Sequence, residues 1–135
     1  MVDQRTVRYD QPRSSPTIVV VDDEPALLDL LARFLRTQGY SVMVSSSGTH
    51  ALASCRNFAE PIHLVLLDFN LRDMNGLQLV HALNEFRPGL RYAFMTGSLS
   101  ALDSFSAEGY AWIFKPFSLD ALSVFVKAQI SESKT

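Results

Sequence analysis

The chain has 135 residues, enough for one domain with a sizeable core, and 47% of them are apolar while 19% are charged. A net charge of −2 and a pI near 5.8 give no footing for a nucleic-acid or anionic-membrane partner. The single cysteine, Cys55, excludes an internal disulfide and fits a reducing compartment. No run approaches the roughly 20 apolar residues of a membrane span, and residues 1–16 lack an apolar signal core, so the expectation is a cytoplasmic protein with no membrane contact.

In chain order, residues 1–16 are polar, contain Pro12 and Pro16, and read as a flexible leader. Residues 17–131 read as one domain and residues 132–135 as a polar tail. A β-branched run over 17–22 predicts a first strand. The helix after it carries Leu27, Leu28, Leu31, Phe34 and Leu35 on one face. Asp22 or Asp23 is placed to cap that helix, Pro25 suits its first turn and Gly39 its end. A second strand over about 41–45 leads to a short helix near 48–57, in which Cys55 is a small buried residue.

The third strand is the apolar run 62–67, and Gly76 opens a helix with Leu77, Val80, Leu83 and Phe86 on one face, ended by Pro88-Gly89. A fourth strand covers 91–95. From Gly97 to Ser106 serines make poor helix formers, while Leu99, Leu102 and Phe105 keep a three-residue spacing, which predicts a short or irregular, mobile fourth helix. A fifth strand covers 110–114, and the last helix, capped at Ser118, buries Leu122, Phe125, Val126 and Ile130. Strands alternating with helices predict an α/β fold with a parallel sheet covered on both faces.

The strand ends carry the chemistry. Asp68 closes the third run, Asp22-Asp23 the first, Thr96 the fourth and Lys115-Pro116 the fifth. Carboxyl ends of strands are where open α/β sheets build their sites. Three acids suit a hard divalent cation such as Mg²⁺, which prefers oxygen ligands and relieves the repulsion among neighbouring carboxylates. Asp68 is a candidate nucleophile for an aspartyl-phosphate; the Lys115 ammonium and the Thr96 hydroxyl would answer the phosphoryl oxygens. The bland alternative is a structural ion cluster. His50, His63 and His81 have no acidic or cysteine partner at ligand spacing and read as non-functional.

Val20-Val21-Asp22-Asp23-Glu24-Pro25, Leu66-Leu67-Asp68 with Gly76 eight residues on, Met95-Thr96-Gly97 and Phe114-Lys115-Pro116-Phe117 resemble, in order and spacing, the receiver domain of two-component response regulators. The resemblance covers about residues 17–131. It implies a five-stranded, doubly wound, flavodoxin-like (βα)5 domain that takes a phosphoryl group from a histidine of a sensor kinase, or of a phosphotransfer protein, onto Asp68. It also implies Mg²⁺ held by Asp23, Asp68 and the backbone carbonyl of Asn70, with Asp22 on a metal-bound water. Lys115 would pair with the phosphoryl oxygens and Thr96 would be drawn towards them.

Trp112 stands where the family has its switch aromatic, usually Tyr or Phe, and Arg72 stands where it often has proline. The stretch from Thr96 to Lys115 is about one helical turn shorter than usual. On this reading the protein is a signalling partner rather than an enzyme: its chemistry is phosphoryl uptake and loss on itself. It would act on a downstream protein target by conformational change, as a stand-alone regulator or an excised domain, and a second copy of the chain is a candidate partner.

Three other functions compete. A receiver-like adaptor would bind its partner without phosphorylation. A Mg²⁺-dependent phosphatase of the haloacid dehalogenase type would need a second Asp two residues after Asp68, where this chain has Asn70. A flavin-binding domain would need a Ser/Thr/Gly-rich phosphate loop after the first strand, where this chain has Asp22-Asp23-Glu24.

Overall fold

The computed structural model describes residues 15–133. Five strands alternate with five helices: β1 (Thr17–Val21), α1 (Pro25–Thr37), β2 (Ser41–Ser45), α2 (Gly48–Asn57), β3 (Leu64–Asp68), α3 (Gly76–Phe86), β4 (Tyr92–Thr96), α4 (Leu99–Ser106), β5 (Ala111–Phe114) and α5 (Leu119–Ser133). All pairings are parallel and the sheet order is β2-β1-β3-β4-β5. This is the expected doubly wound α/β fold. β2 lies on one side of β1 and every later strand on the other, so the order reverses at β1, and the crevice beyond the carboxyl ends of β1 and β3 is the switch point where such sheets hold ligands.

The apparently uniform strand runs hide a period of two. Ile18, Val20, Leu64, Leu66, Ala93 and Met95 face one core with Leu31, Leu35, Leu122 and Val126 of α1 and α5. Val19, Val21, Val65, Leu67, Tyr92 and Phe94 face the other, with Ala51, Cys55, Leu79, Leu83 and Phe105 of α2, α3 and α4. Helices on both faces leave the central strands no polar side, which is why β1 and β4 are buried along their whole length.

Several element ends differ from the sequence expectation for local reasons. β3 begins at Leu64 rather than Ile62, because His63 still serves as a brace: Thr17 N–H donates to its Nδ1 at 3.0 Å and its own N–H donates to Thr17 O at 2.8 Å. The N-cap of α1 is Glu24, without a side-chain cap bond, instead of Asp22 or Asp23; Asp22 Oδ1 accepts the Glu24 N–H at 2.9 Å and so holds the turn before the helix. The cap at Ser118 is present, its Oγ accepting the Ala121 N–H at 3.0 Å. α4 is short, two turns, and its buried residues are Ala101 and Phe105. Of the three-residue stripe, Phe105 and Leu102 pack on the core while Leu99, at the first position of the helix, is 74% exposed. α5 runs to Ser133, two residues beyond the expected domain end. The predicted leader (1–16), apart from Ser15 and Pro16, and Lys134-Thr135 of the predicted tail lie outside the described residues.

Candidate functional site

Parallel register puts Val21 beside Leu67 and Asp68 beside Met95. The residues just past β1, at the end of β3 and just past β5 therefore meet at one edge of the sheet. There the Lys115 ammonium donates to Asp22 Oδ2 at 2.7 Å and to Asp68 Oδ2 at 2.9 Å. Asp22 is fully buried, Asp68 largely so, and the Lys115 side chain is only 21% exposed. Carboxylate oxygens of Asp22, Asp23 and Asp68 all lie within 4.8 Å of one another.

The electrostatics follow from burial. Desolvation pushes the Asp68 carboxyl above its ordinary pKa; bonds to Lys115 and to the Asn70 N–H oppose this, and the neighbouring Asp22 adds to it. Burial also works against the Lys115 charge, but the hydrogen bonds to Asp22 and Asp68 and the attraction of both carboxylates hold its pKa above the ordinary value. One ammonium among three acids, with only the exposed Arg72 guanidinium 3.8 Å from Asp23 at the rim, leaves the pocket short of positive charge. Three converging hard oxygen donors fit a divalent cation of the Mg²⁺ type, which takes one or two carboxylates and keeps waters for the rest.

The loop after Asp68 is pinned on all sides. Asn70 N–H donates to Asp68 Oδ1 at 3.1 Å, Asn70 bridges Asn75, and Gly76 N–H donates to Phe69 O at 2.6 Å. Gly76 lies so close to this turn that a Cβ there would meet Phe94 Cε1 at 2.6 Å and the Asp68 carbonyl oxygen at 3.1 Å. That contact is the physical reason for a glycine eight residues after Asp68. Asn75 and Gln78 then start α3 with a reciprocal capping box.

Two other sequence candidates are nearby but not engaged. Thr96 pairs with Phe114 across the sheet, and its O accepts the Lys115 N–H at 2.8 Å. Its hydroxyl, however, is turned to its own loop, accepting from Ser98 N–H at 3.0 Å and donating to Ser98 O at 3.3 Å. Trp112 is 38% exposed and stacks edge-on with Phe114, ring centroids 4.9 Å apart, so it is not a core residue. The histidines are braces or surface groups: besides His63, His50 Nδ1 bonds Ser45 Oγ at 3.0 Å and His81 Nε2 lies 3.5 Å from Glu108.

Two residues of the loop have contacts that sequence reasoning did not foresee. Asp73 accepts from Gly48 N–H at 3.0 Å and from Thr49 N–H at 2.8 Å and hydroxyl at 2.7 Å, tying the loop to the start of α2. Arg72 extends to Asp23: its Nε lies 3.8 Å from Asp23 Oδ2, and Nη2 donates to Asp23 O at 3.4 Å. The unusual residue four positions after Asp68 was the available signal for the second contact; nothing in the spacing announced the first.

Comparison with known proteins gives the family and agrees with the fold. The response regulator receiver domain family matches residues 18–127. The probable transcriptional regulatory protein TcrX of Mycobacterium tuberculosis is 32% identical over 83% of this chain and 48% of its own length. A response regulator receiver domain protein (CheY-like) from Methanospirillum hungatei superposes with a TM-score of 0.80 at 31% identity, over 90% of this chain and 98% of that one. The response regulator protein TrrA from Thermotoga maritima, solved in complex with Mg²⁺-BeF, gives a TM-score of 0.73 at 26% identity, over 84% of this chain and 98% of that one. The chain spans half or less of the length of the curated relatives it matches.

Proposed function

The chain belongs to the response regulator receiver domain family, and from that premise we propose that it accepts a phosphoryl group on Asp68 from a histidine of a sensor kinase or phosphotransfer protein and signals to a protein target. The observation that carries this reading is the Lys115 ammonium shared between Asp22 and Asp68 inside a cluster of three convergent carboxylates.

An oxygen of Asp68 attacks phosphorus, the P–N bond to the donor imidazole breaks, and a P–O bond to the carboxylate forms. Asp23, Asp68 and the Asn70 carbonyl would hold Mg²⁺, with Asp22 on a metal-bound water. When bound, the ion neutralises the carboxylates and the incoming phosphoryl oxygens. Lys115 releases Asp68 and pairs with a phosphoryl oxygen. Thr96 exchanges its bonds to Ser98 for another. That movement vacates space beside β4 and β5, and Trp112, now outward, follows it; the surface of α4 and β5 read by a partner then changes. The group is lost by hydrolysis: water attacks phosphorus, the P–O bond to Asp68 breaks, inorganic phosphate leaves and the carboxylate is restored, so the protein turns over no separate substrate. An apolar groove lined by Leu27, Leu30, Pro116 and Phe117 opens beside Lys115, and a phosphodonor approaching Asp68 would meet it.

Intact mass after incubation with acetyl phosphate tests this directly. Wild type should gain one phosphoryl group with Mg²⁺ and none with EDTA, and Asp68→Asn should gain none. Uptake by Asp68→Asn would refute the site; no uptake by wild type from either acetyl phosphate or a phosphorylated donor would refute the function.

A further inference from the structure

Each of the three carboxylates has an internal cation available, but not the same one. Lys115 serves Asp22 and Asp68. Asp23 faces the Arg72 guanidinium, which approaches both its carboxylate and its backbone oxygen. The two cations differ in how easily they leave. The Lys115 side chain is 21% exposed and bonded at 2.7 and 2.9 Å, whereas that of Arg72 is 78% exposed and its contacts are 3.4 and 3.8 Å. An incoming cation must take Asp23 from whatever holds it, and Arg72 is the group that yields at lower cost.

We propose that Arg72 is a tethered competitor of the divalent cation: its guanidinium occupies Asp23 in the metal-free protein, weakens metal binding, and swings into solvent when the cation enters. The inference rests on the proposed Mg²⁺ site and adds a residue that tunes it. Arg72 is a positioning residue, since it acts through Asp23 and not on phosphorus. Its position favours that role, because the pinned loop of residues 69–75 fixes the Arg72 backbone while its long side chain stays free to move.

The test is calorimetric titration of Mg²⁺ into wild type, Arg72→Gln and Arg33→Gln at low and high salt, without phosphodonor. Arg33 is an exposed cation of α1 paired with Asp29, away from the carboxylate cluster, and controls for loss of charge alone. A surface ion pair of this kind predicts two- to fivefold tighter Mg²⁺ binding in Arg72→Gln at low salt, a narrower gap at high salt, and no change in Arg33→Gln. Equal affinity in wild type and Arg72→Gln, or the same gain in Arg33→Gln, would overturn the role of Arg72 while leaving the metal site standing. Absence of Mg²⁺ binding in all three proteins would overturn the metal site, and this inference with it.

Discussion

Asp22 has no exposed surface, and the two groups that answer its carboxylate are the Lys115 ammonium and the Glu24 N–H. Removing one partner of a buried ion pair costs far more than the pair itself contributes, because the survivor keeps its desolvation penalty unanswered. Lys115→Met should therefore destabilise the metal-free protein by about 2–4 kcal/mol, read from urea denaturation in EDTA. Added Mg²⁺ should return part of that loss, since the same carboxylates would then face a divalent charge. A variant as stable as wild type in EDTA would mean that Asp22 is hydrated and the pocket is looser than the bond lengths describe. These residues were legible in the sequence because acids and a lysine at the ends of apolar strands have few other reasons to be there. The Thr96 hydroxyl was not: its choice of Ser98 over the pocket depends on a local turn that no strand pattern encodes.

At the scale of elements, the loop of residues 69–75 matters most, because it joins β3 to α3 and is fastened to α2 by Asp73. Bonds from Thr49 and Gly48 hold the Asp73 carboxyl down at about 2. A depressed acid contributes stability that is present above its unfolded pKa, near 4, and is lost as pH falls towards 2. Asp73→Ala should cost about 1 kcal/mol at pH 7, as loss of a helix-start cap does when water can replace it, and progressively less as pH falls through about 2. Chemical denaturation at several pH values checks both ends; a penalty that persisted at low pH would point to packing rather than charge. This contact joins residues 24 and 25 positions apart, so neither helical nor strand periodicity could announce it. α4 teaches the same lesson. Its sequence reads as a weak helix, yet Phe105 stacks on Phe94 with centroids 4.5 Å apart and packs against Phe69 at 5.6 Å. Tertiary contact, not propensity, holds those two turns.

For the whole molecule, the alternation of strands and helices points to a parallel sheet covered on both faces, and right-handed crossovers narrow the strand orders without choosing one; the doubly wound order was legible only through the receiver motifs at the strand ends. The same order brings residues from β1, β3 and β5, up to 93 positions apart, into one pocket. Because those strands form the central layer, anything that binds the pocket is coupled to global unfolding. An unfolded chain scatters the three carboxylates and has little affinity for a divalent cation, so Mg²⁺ should stabilise the fold by mass action. At a concentration ten times the dissociation constant the gain is about 1.4 kcal/mol, worth roughly 5 °C in Tm for a domain of this size. Thermal unfolding with increasing Mg²⁺ should show that rise in wild type. Asp23→Ala should lose it while keeping a metal-free Tm equal to or above that of wild type, since the substitution gives up a weak, exposed ion pair with Arg72 and relieves the repulsion from Asp22 and Asp68. A Tm that climbs equally in wild type and Asp23→Ala would assign the effect to general screening and remove the metal from the pocket.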